Sequence, residues 1–140
     1  MILVSACLAG EKCAYDGEGR LDPKVKDLEC IAVCPEVLGG RSVPRAKAEI
    51  RDGTGEDVLD GKAKVFDENG LDVTDQFIKG AFVALEIAKK YGVKETILKS
   101  RSPSCGVGKI YDGSFDKKVV DGDGVTAALF KKAGIQCRSI

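Results

Sequence analysis

Ile2-Leu3-Val4-Ser5-Ala6-Cys7-Leu8-Ala9-Gly10 decides how this chain is built. Ile2 to Ser5 reads as a buried strand, a short apolar run closed by a turn signal. Ala6 to Gly10 is a turn of small residues, and Cys7 falls directly after the strand. The same arrangement recurs twice. Cys30 to Val33 is a second short apolar strand, ended by Cys34-Pro35-Glu36. Thr96-Ile97-Leu98 is a third, opening into Lys99-Ser100-Arg101-Ser102-Pro103-Ser104-Cys105-Gly106.

Helical signals lie between these strands. Asp22-Pro23 is a helix start, with Asp22 as N-cap and Pro23 at the first helical position, and the helix is expected to run to about Glu29. Thr74 is the expected cap of the clearest helix. Its apolar positions Phe77, Ala81, Val83, Ala84, Leu85, Ile87 and Ala88 favour one side, and it stops at Gly92. Val125 to Ala133 is another helix, ended by Gly134, and Ile135 to Ile140 is a last strand. Glu49–Arg51 and Lys62–Asp67 alternate weakly between glycine-rich turns and read as a hairpin or arm. Ile110 to Asp123 reads as a turn-rich excursion.

Strands alternating with helices predict an α/β protein with a parallel sheet and covering helices. Right-handed crossovers give a strand order such as 2-1-3-4. The expectation is one three-layer, Rossmann-like domain over residues 1–140, with a small, mostly parallel sheet and a β-hairpin arm.

Composition narrows the function. Lys plus Arg equals Asp plus Glu, 22 against 22, so no global field favours nucleic acid. That balance makes tRNA a poorer candidate than a free base or nucleoside. No apolar stretch approaches the length of a membrane span, and the apolar N-terminus lacks the basic start of a signal peptide. A cytoplasmic location is expected. Six cysteines in a reducing compartment point to metal ligation, catalysis or burial rather than disulfides. Histidine is absent, so a metal must be held by thiolates and carboxylates.

Cys7, Cys34 and Cys105 occupy equivalent places after three strands. In the order 2-1-3 these strands are adjacent and span roughly 10 Å at about 4.8 Å per strand. The chain changes side between strands two and three, and open α/β sheets bind ligands at such a switch point. Three thiolates without histidine suit an iron–sulfur cluster or another thiophilic metal. With three protein ligands a 4Fe–4S cluster keeps one iron open. Cys13 could close the site as a fourth ligand or stand aside as a thiol. Cys30 and Cys137 read as packing residues.

Glu36 and Asp16 are carboxylates near cysteine ligands and candidates for general base or for orienting water. Ser100, Ser102 and Ser104 alternate with Arg101 and Pro103, offering hydroxyl and N–H donors beside Cys105. Lys99 and Arg101 could add positive charge. Gly106 and Gly108 match neither a Walker loop nor a dinucleotide fingerprint. Two other readings fit these residues: a structural or regulatory zinc–thiolate protein closed by Cys13, and a metal-free redox or sulfur-carrying thiol protein using Cys7 with Cys13.

Val4-Ser5-Ala6-Cys7-Leu8 with Tyr15-Asp16-Gly17, Cys34-Pro35-Glu36-Val37-Leu38-Gly39-Gly40, the Lys99–Gly106 segment, Ile110-Tyr111-Asp112-Gly113 and Gly124-Val125-Thr126-Ala127-Ala128 together resemble the thiouracil desulfurase family over almost the whole chain. The resemblance implies a 4Fe–4S cluster on Cys7, Cys34 and Cys105. It also implies conversion of thiouracil to uracil, with the open iron taking the sulfur while a carboxylate-activated water attacks the carbon. Glu36, Asp16 and Ser102 would then be catalytic. Tyr15, Ser100, Arg101 and Ser104 would contact the substrate, a small thiolated base or nucleoside. Ala14 departs from the basic residue that many relatives carry before Tyr-Asp-Gly.

Overall fold

The computed structural model describes residues 1–140. In chain order its elements are β1 (Ile2–Ser5), a 3₁₀ turn (Ala6–Ala9), α1 (Pro23–Lys26), β2 (Cys30–Val33), α2 (Pro35–Leu38), β3 (Ala48–Arg51), α3 (Gly55–Leu59), β4 (Lys64–Asp67), α4 (Thr74–Lys90), β5 (Glu95–Leu98), β6 (Lys109–Tyr111), β7 (Val119–Asp121), α5 (Val125–Lys132) and β8 (Gln136–Ser139). Four strands form the main sheet in the order β2-β1-β5-β8, and every pairing in it is parallel. Counted among the sheet's own strands this is 2-1-3-4, the expected order. β3 and β4 form the expected antiparallel arm.

Alternation along the strands divides the core between the two faces of the sheet. Leu3, Val33 and Leu98 enter the larger cluster with Phe77, Ala81 and Leu85 of α4 and Val125 and Phe130 of α5. Val4 and Ile97 point the other way, to Leu8 and Val25. α4 buries Phe77, Ala81, Ala84, Leu85 and Ala88, spaced as one stripe of a 3.6-residue helix. α5 is buried from Val125 through Phe130, as befits a helix enclosed by sheet and neighbouring helices. No helix is long and apolar enough to cross a membrane.

Several local expectations need correction. α1 ends at Lys26 rather than near Glu29; only Val25 among its residues is buried, so no apolar stripe sustains a second turn. Its start is as expected, with the Asp22 carboxylate accepting from Lys24 N–H at 2.8 Å. Thr74 is the first residue of α4, and Val73 is the cap. The Thr74 hydroxyl instead bonds Asp72 Oδ1 at 2.6 Å and accepts from Val65 N–H at 2.9 Å, tying α4 to β4. The arm contains α3, whose Asp57 carboxylate accepts from the Thr54 N–H and hydroxyl at 2.9 and 3.1 Å. The excursion after Cys105 contains a second hairpin, β6 with β7.

Glycines set two approaches that matter for the site. A Cβ on Gly80 would lie 1.9 Å from Pro35 O, and one on Gly39 would lie 2.0 Å from Gln76 O. Only hydrogen at both positions lets α2 rest on the α4 backbone. At the other approach, a Cβ on Gly124 would lie 2.5 Å from Ser104 O, so the start of α5 touches the Cys105 loop directly.

Candidate active site

The parallel register carries the ends of β1, β2 and β5 to one edge of the sheet. Cys7, Cys34 and Cys105 follow those ends and line one cavity of about 470 Å³. Each is held differently. Cys7 lies in the 3₁₀ turn that continues β1. Cys34 is the residue before Pro35 at the start of α2, and the Val37 N–H favours its sulfur as an acceptor. Cys105 is buried, and its N–H donates to Ser102 Oγ at 3.0 Å.

Cys13 lines the same cavity. Its thiol neighbours those of Cys7 and Cys34, and the three perturb one another. Cys34 Sγ also lies 3.8 Å from Cys13 O. The neighbouring Cys13 lowers the Cys7 thiol below its ordinary value, and Lys99 adds a smaller push the same way. Cys34 works to lower Cys13, yet Cys7 and burial outweigh it and push Cys13 up to about 11. Proximity to Cys13, then burial, raises Cys34 strongly. Burial pushes Cys105 up to about 12. Cys30 packs against the smaller core and Cys137 against the larger, both partly buried.

Glu36 is clamped. Arg41 Nη1 and Arg45 Nε donate to its Oε1 at 2.9 and 3.2 Å, and both arginine side chains are only 5% exposed. Arg41 is itself held by Ala46 O at 3.1 Å and by the Phe77 ring, 5.6 Å away. Arg45 Nη1 reaches Cys13 O at 2.9 Å, joining the carboxylate to the thiol loop. Both ion pairs fall on Oε1. Oε2 has no protein partner, and because no buried polar side-chain atom lacks one, Oε2 is open to the cavity that Glu36 lines.

The Ser100–Cys105 loop is anchored to α5. Val125 N–H donates to Pro103 O at 2.8 Å and Thr126 N–H to Ser104 O at 2.9 Å. Ser104 Oγ is spent on Thr126 Oγ1 at 2.8 Å. Ser102 Oγ accepts from the N–H groups of Ser104 and Cys105, which leaves its own proton to donate. Lys99 Nζ lies 3.3 Å from Ser100 Oγ, and Lys99 N–H donates to Ser5 Oγ at 2.9 Å.

Glu36, Tyr15, Ser100, Ser102 and Ser104 line the cavity with the three cysteines, whereas Asp16 and Arg101 do not. Asp16 pairs with Arg20 at 2.7 Å, which holds its carboxyl below the usual range. It thereby steers Arg20, which does line the cavity. Arg101 is exposed, with φ 63°, so its backbone turns the chain. Glu49, Lys47, Phe115 and Lys117 were not anticipated at the site. They arrive from the arm and the second hairpin, and the only signal for them was the Tyr111-Asp112-Gly113 motif beside Phe115.

The donor set fits an iron–sulfur cluster better than a lone ion. No three Cys, Asp or Glu side chains converge closely enough to hold one metal ion. A single zinc would need its thiolates about 2.3 Å from one point, whereas a cluster carries them around a larger body. Cys105 is buried and Cys7 and Cys34 are partly so, and three thiolates this close are costly without a cation among them. The lining also holds five cationic side chains against three carboxylates, in a chain of zero net charge. Among these cations Lys99 favours the Cys7 thiolate.

The fold and this edge define a small α/β protein with a thiol-lined ligand cavity at its topological switch point. The chain belongs to the 2-thiouracil desulfurase family, which it matches over residues 2–139. It is 49% identical over 138 residues to an uncharacterized protein of Bacillus subtilis (strain 168), YbbK, covering 96% of this chain and 91% of that one. Among solved structures it resembles the 4Fe–4S-dependent thiouracil desulfidase TudS, with a TM-score of 0.86 and 40% identity, covering 99% of this chain and 89% of the other. The family read from the cysteine and serine motifs is therefore confirmed.

Proposed function

We propose that this protein is a desulfurase that replaces the sulfur of a small thiolated pyrimidine by oxygen, converting a thiouracil-type free base or nucleoside to its uracil counterpart. The observation that carries the reading is the meeting of Cys7, Cys34 and Cys105 with the clamped Glu36 carboxylate in one cavity. The 40% identity to a 4Fe–4S-dependent thiouracil desulfidase supports the substrate class and the cofactor. Cys7, Cys34 and Cys105 are the residues that would hold a 4Fe–4S cluster. When bound through three thiolates, the cluster supplies an open iron as a Lewis acid for the substrate's sulfur.

The remaining work falls to the chain's own side chains. The reaction is a hydrolysis: water supplies the oxygen, the C–S bond breaks, and sulfur leaves as hydrosulfide with no net electron transfer. Glu36 Oε2 takes the proton of the attacking water. Arg41 and Arg45 keep that oxygen aimed by occupying Oε1. Ser102 donates its free proton to the departing sulfur or to a ring acceptor. Tyr15 and Ser100 flank the base. Asp16 acts one step back, through Arg20. Ser104 serves the loop through Thr126 rather than the substrate. A reducing, cytoplasmic setting goes with this chemistry.

The deciding experiment is iron and acid-labile sulfide content, with thiouracil turnover, on anaerobically reconstituted protein. The comparison is with Cys7→Ala, Cys34→Ala, Cys105→Ala and Cys13→Ala. About four irons and four sulfides, lost in the first three variants and kept in the last, are expected. Wild type without iron, or zinc held through Cys13, would sink the mechanism.

A further inference from the structure

Three carboxylates line the cavity, and their circumstances differ. Glu36 is answered by two arginines. Glu68 is exposed. Glu49 is buried, only 7% exposed, with no cation within ion-pair distance. Its Oε1 accepts from the N–H groups of Gly113 and Phe115 at 3.0 and 3.2 Å. Its Oε2 has no partner and is not sealed from solvent, so it opens into the cavity. An accessible carboxylate oxygen in a cavity is an acceptor that a ligand's donor can take over from water.

The loop on Oε1 is also held at a cost. Phe115 and Lys117 adopt φ of 61° and 60°, the left-handed region that side chains disfavour. Gly113 is pressed so close to β3 that a Cβ would lie 2.7 Å from Ile50 O. Phe115 and Lys117 form part of the cavity wall in consequence. One oxygen of Glu49 thus builds the wall, and the other faces the space beside it.

We infer that Glu49 reads the substrate: Oε2 accepts a ring N–H of the pyrimidine, with Phe115 as the adjoining apolar wall. The inference rests on the desulfurase reading and names the group that recognises its substrate. An ionised carboxylate only accepts hydrogen bonds, whereas the serine hydroxyls can donate or accept. Glu49 therefore selects bases that carry a proton on the ring nitrogen beside the thiocarbonyl or carbonyl. A methylated or unprotonated nitrogen leaves Oε2 bare, and a site built around such a contact discriminates strongly.

The test is calorimetric binding of uracil, 1-methyluracil and 3-methyluracil to cluster-loaded wild type and Glu49→Gln, with thiouracil kinetics alongside. Glutamine keeps an oxygen for the two loop N–H groups and turns an NH₂ toward the cavity. Uracil affinity is expected to fall roughly 10- to 100-fold in the variant, the loss of a hydrogen bond to a charged group. KM for 2-thiouracil should rise by a similar factor with kcat and visible absorption unchanged. One methyluracil should bind wild type as weakly as uracil binds the variant, and lose nothing further in the variant. That wild-type comparison holds even if the variant folds poorly. Equal affinities in both proteins, or of all three ligands for wild type, would overturn the Glu49 assignment while thiouracil turnover stands. Wild type that binds uracil without desulfurating thiouracil overturns the desulfurase reading, and a drop in Glu49→Gln then still supports Glu49 as the reader of a pyrimidine N–H. Wild type that neither binds uracil nor desulfurates thiouracil overturns both, and if it desulfurates thiouracil without binding uracil, an unchanged KM in Glu49→Gln overturns the Glu49 assignment.

Discussion

Glu36 shows how one residue is made useful by its neighbours. Oε1 is occupied by two guanidiniums, and only Oε2 is available. Glu36→Gln keeps the shape of the clamp and removes the carboxylate proposed to accept the proton. Turnover of thiouracil in that variant is expected to fall by about 10²- to 10⁴-fold, the usual contribution of a general base. Iron content should remain that of wild type, and stopped assays at saturating substrate would check both. The cysteines and Glu36 were legible in the sequence because their residue types are chemically rare and lie next to strand ends. Arg41 and Arg45 were not. They lie after the Gly39-Gly40 turn, and nothing in their spacing tells a buried clamp from a solvated surface pair. The placement of Asp16 outside the cavity was equally invisible, since Tyr15-Asp16-Gly17 specifies a turn and not the direction of its carboxylate.

The short elements carry the site, and each depends on a longer one. α2 is a single turn that holds Pro35 and Glu36 just after Cys34, and it stays in place by resting on the Gly80 backbone of α4. A methyl group at that position meets backbone and not a flexible side chain. Gly80→Ala is therefore expected to cost about 1–3 kcal/mol or more, read by chemical denaturation, with cluster uptake falling as α2 moves. Iron content per folded protein would separate the two effects. Unchanged stability in Gly80→Ala would mean that α2 is not held by this contact. At this scale the sequence was read well where periodicity was long, as in α4, and poorly where elements were three to five residues. α3 was hidden by Gly53-Thr54-Gly55, which looks like a turn until the Thr54–Asp57 bonds are seen. The β6–β7 hairpin was hidden because its three-residue strands offer too little alternation to distinguish from coil.

Across the whole molecule, the site is a junction that no segment could form alone. Thiols from three strand ends, the arm and the second hairpin converge there, so loading it should stabilise the entire chain. A ligand held at a hundred times its dissociation constant adds about 2.7 kcal/mol to the folded state. Anaerobic reconstitution is expected to raise Tm by several degrees, and Cys105→Ala should abolish the increase. Differential scanning calorimetry with and without iron and sulfide would measure it. The sequence by itself determined the α/β class, the strand order and the family, and singled out three cysteines that the fold brings to one cavity. The class and order follow from hydrophobic runs and crossover handedness, the cysteines from their places after strand ends, and the family from the resemblance of its motifs. Only the tertiary structure decided which polar groups face the cavity. Glu49 and Phe115 are far apart in the chain and meet because β3 and the loop after β6 pack together. Whether Glu36 stands clamped, and which oxygen of Glu49 is free, depend on hydrogen bonds and close backbone contacts between segments. A one-dimensional pattern has no register for such contacts.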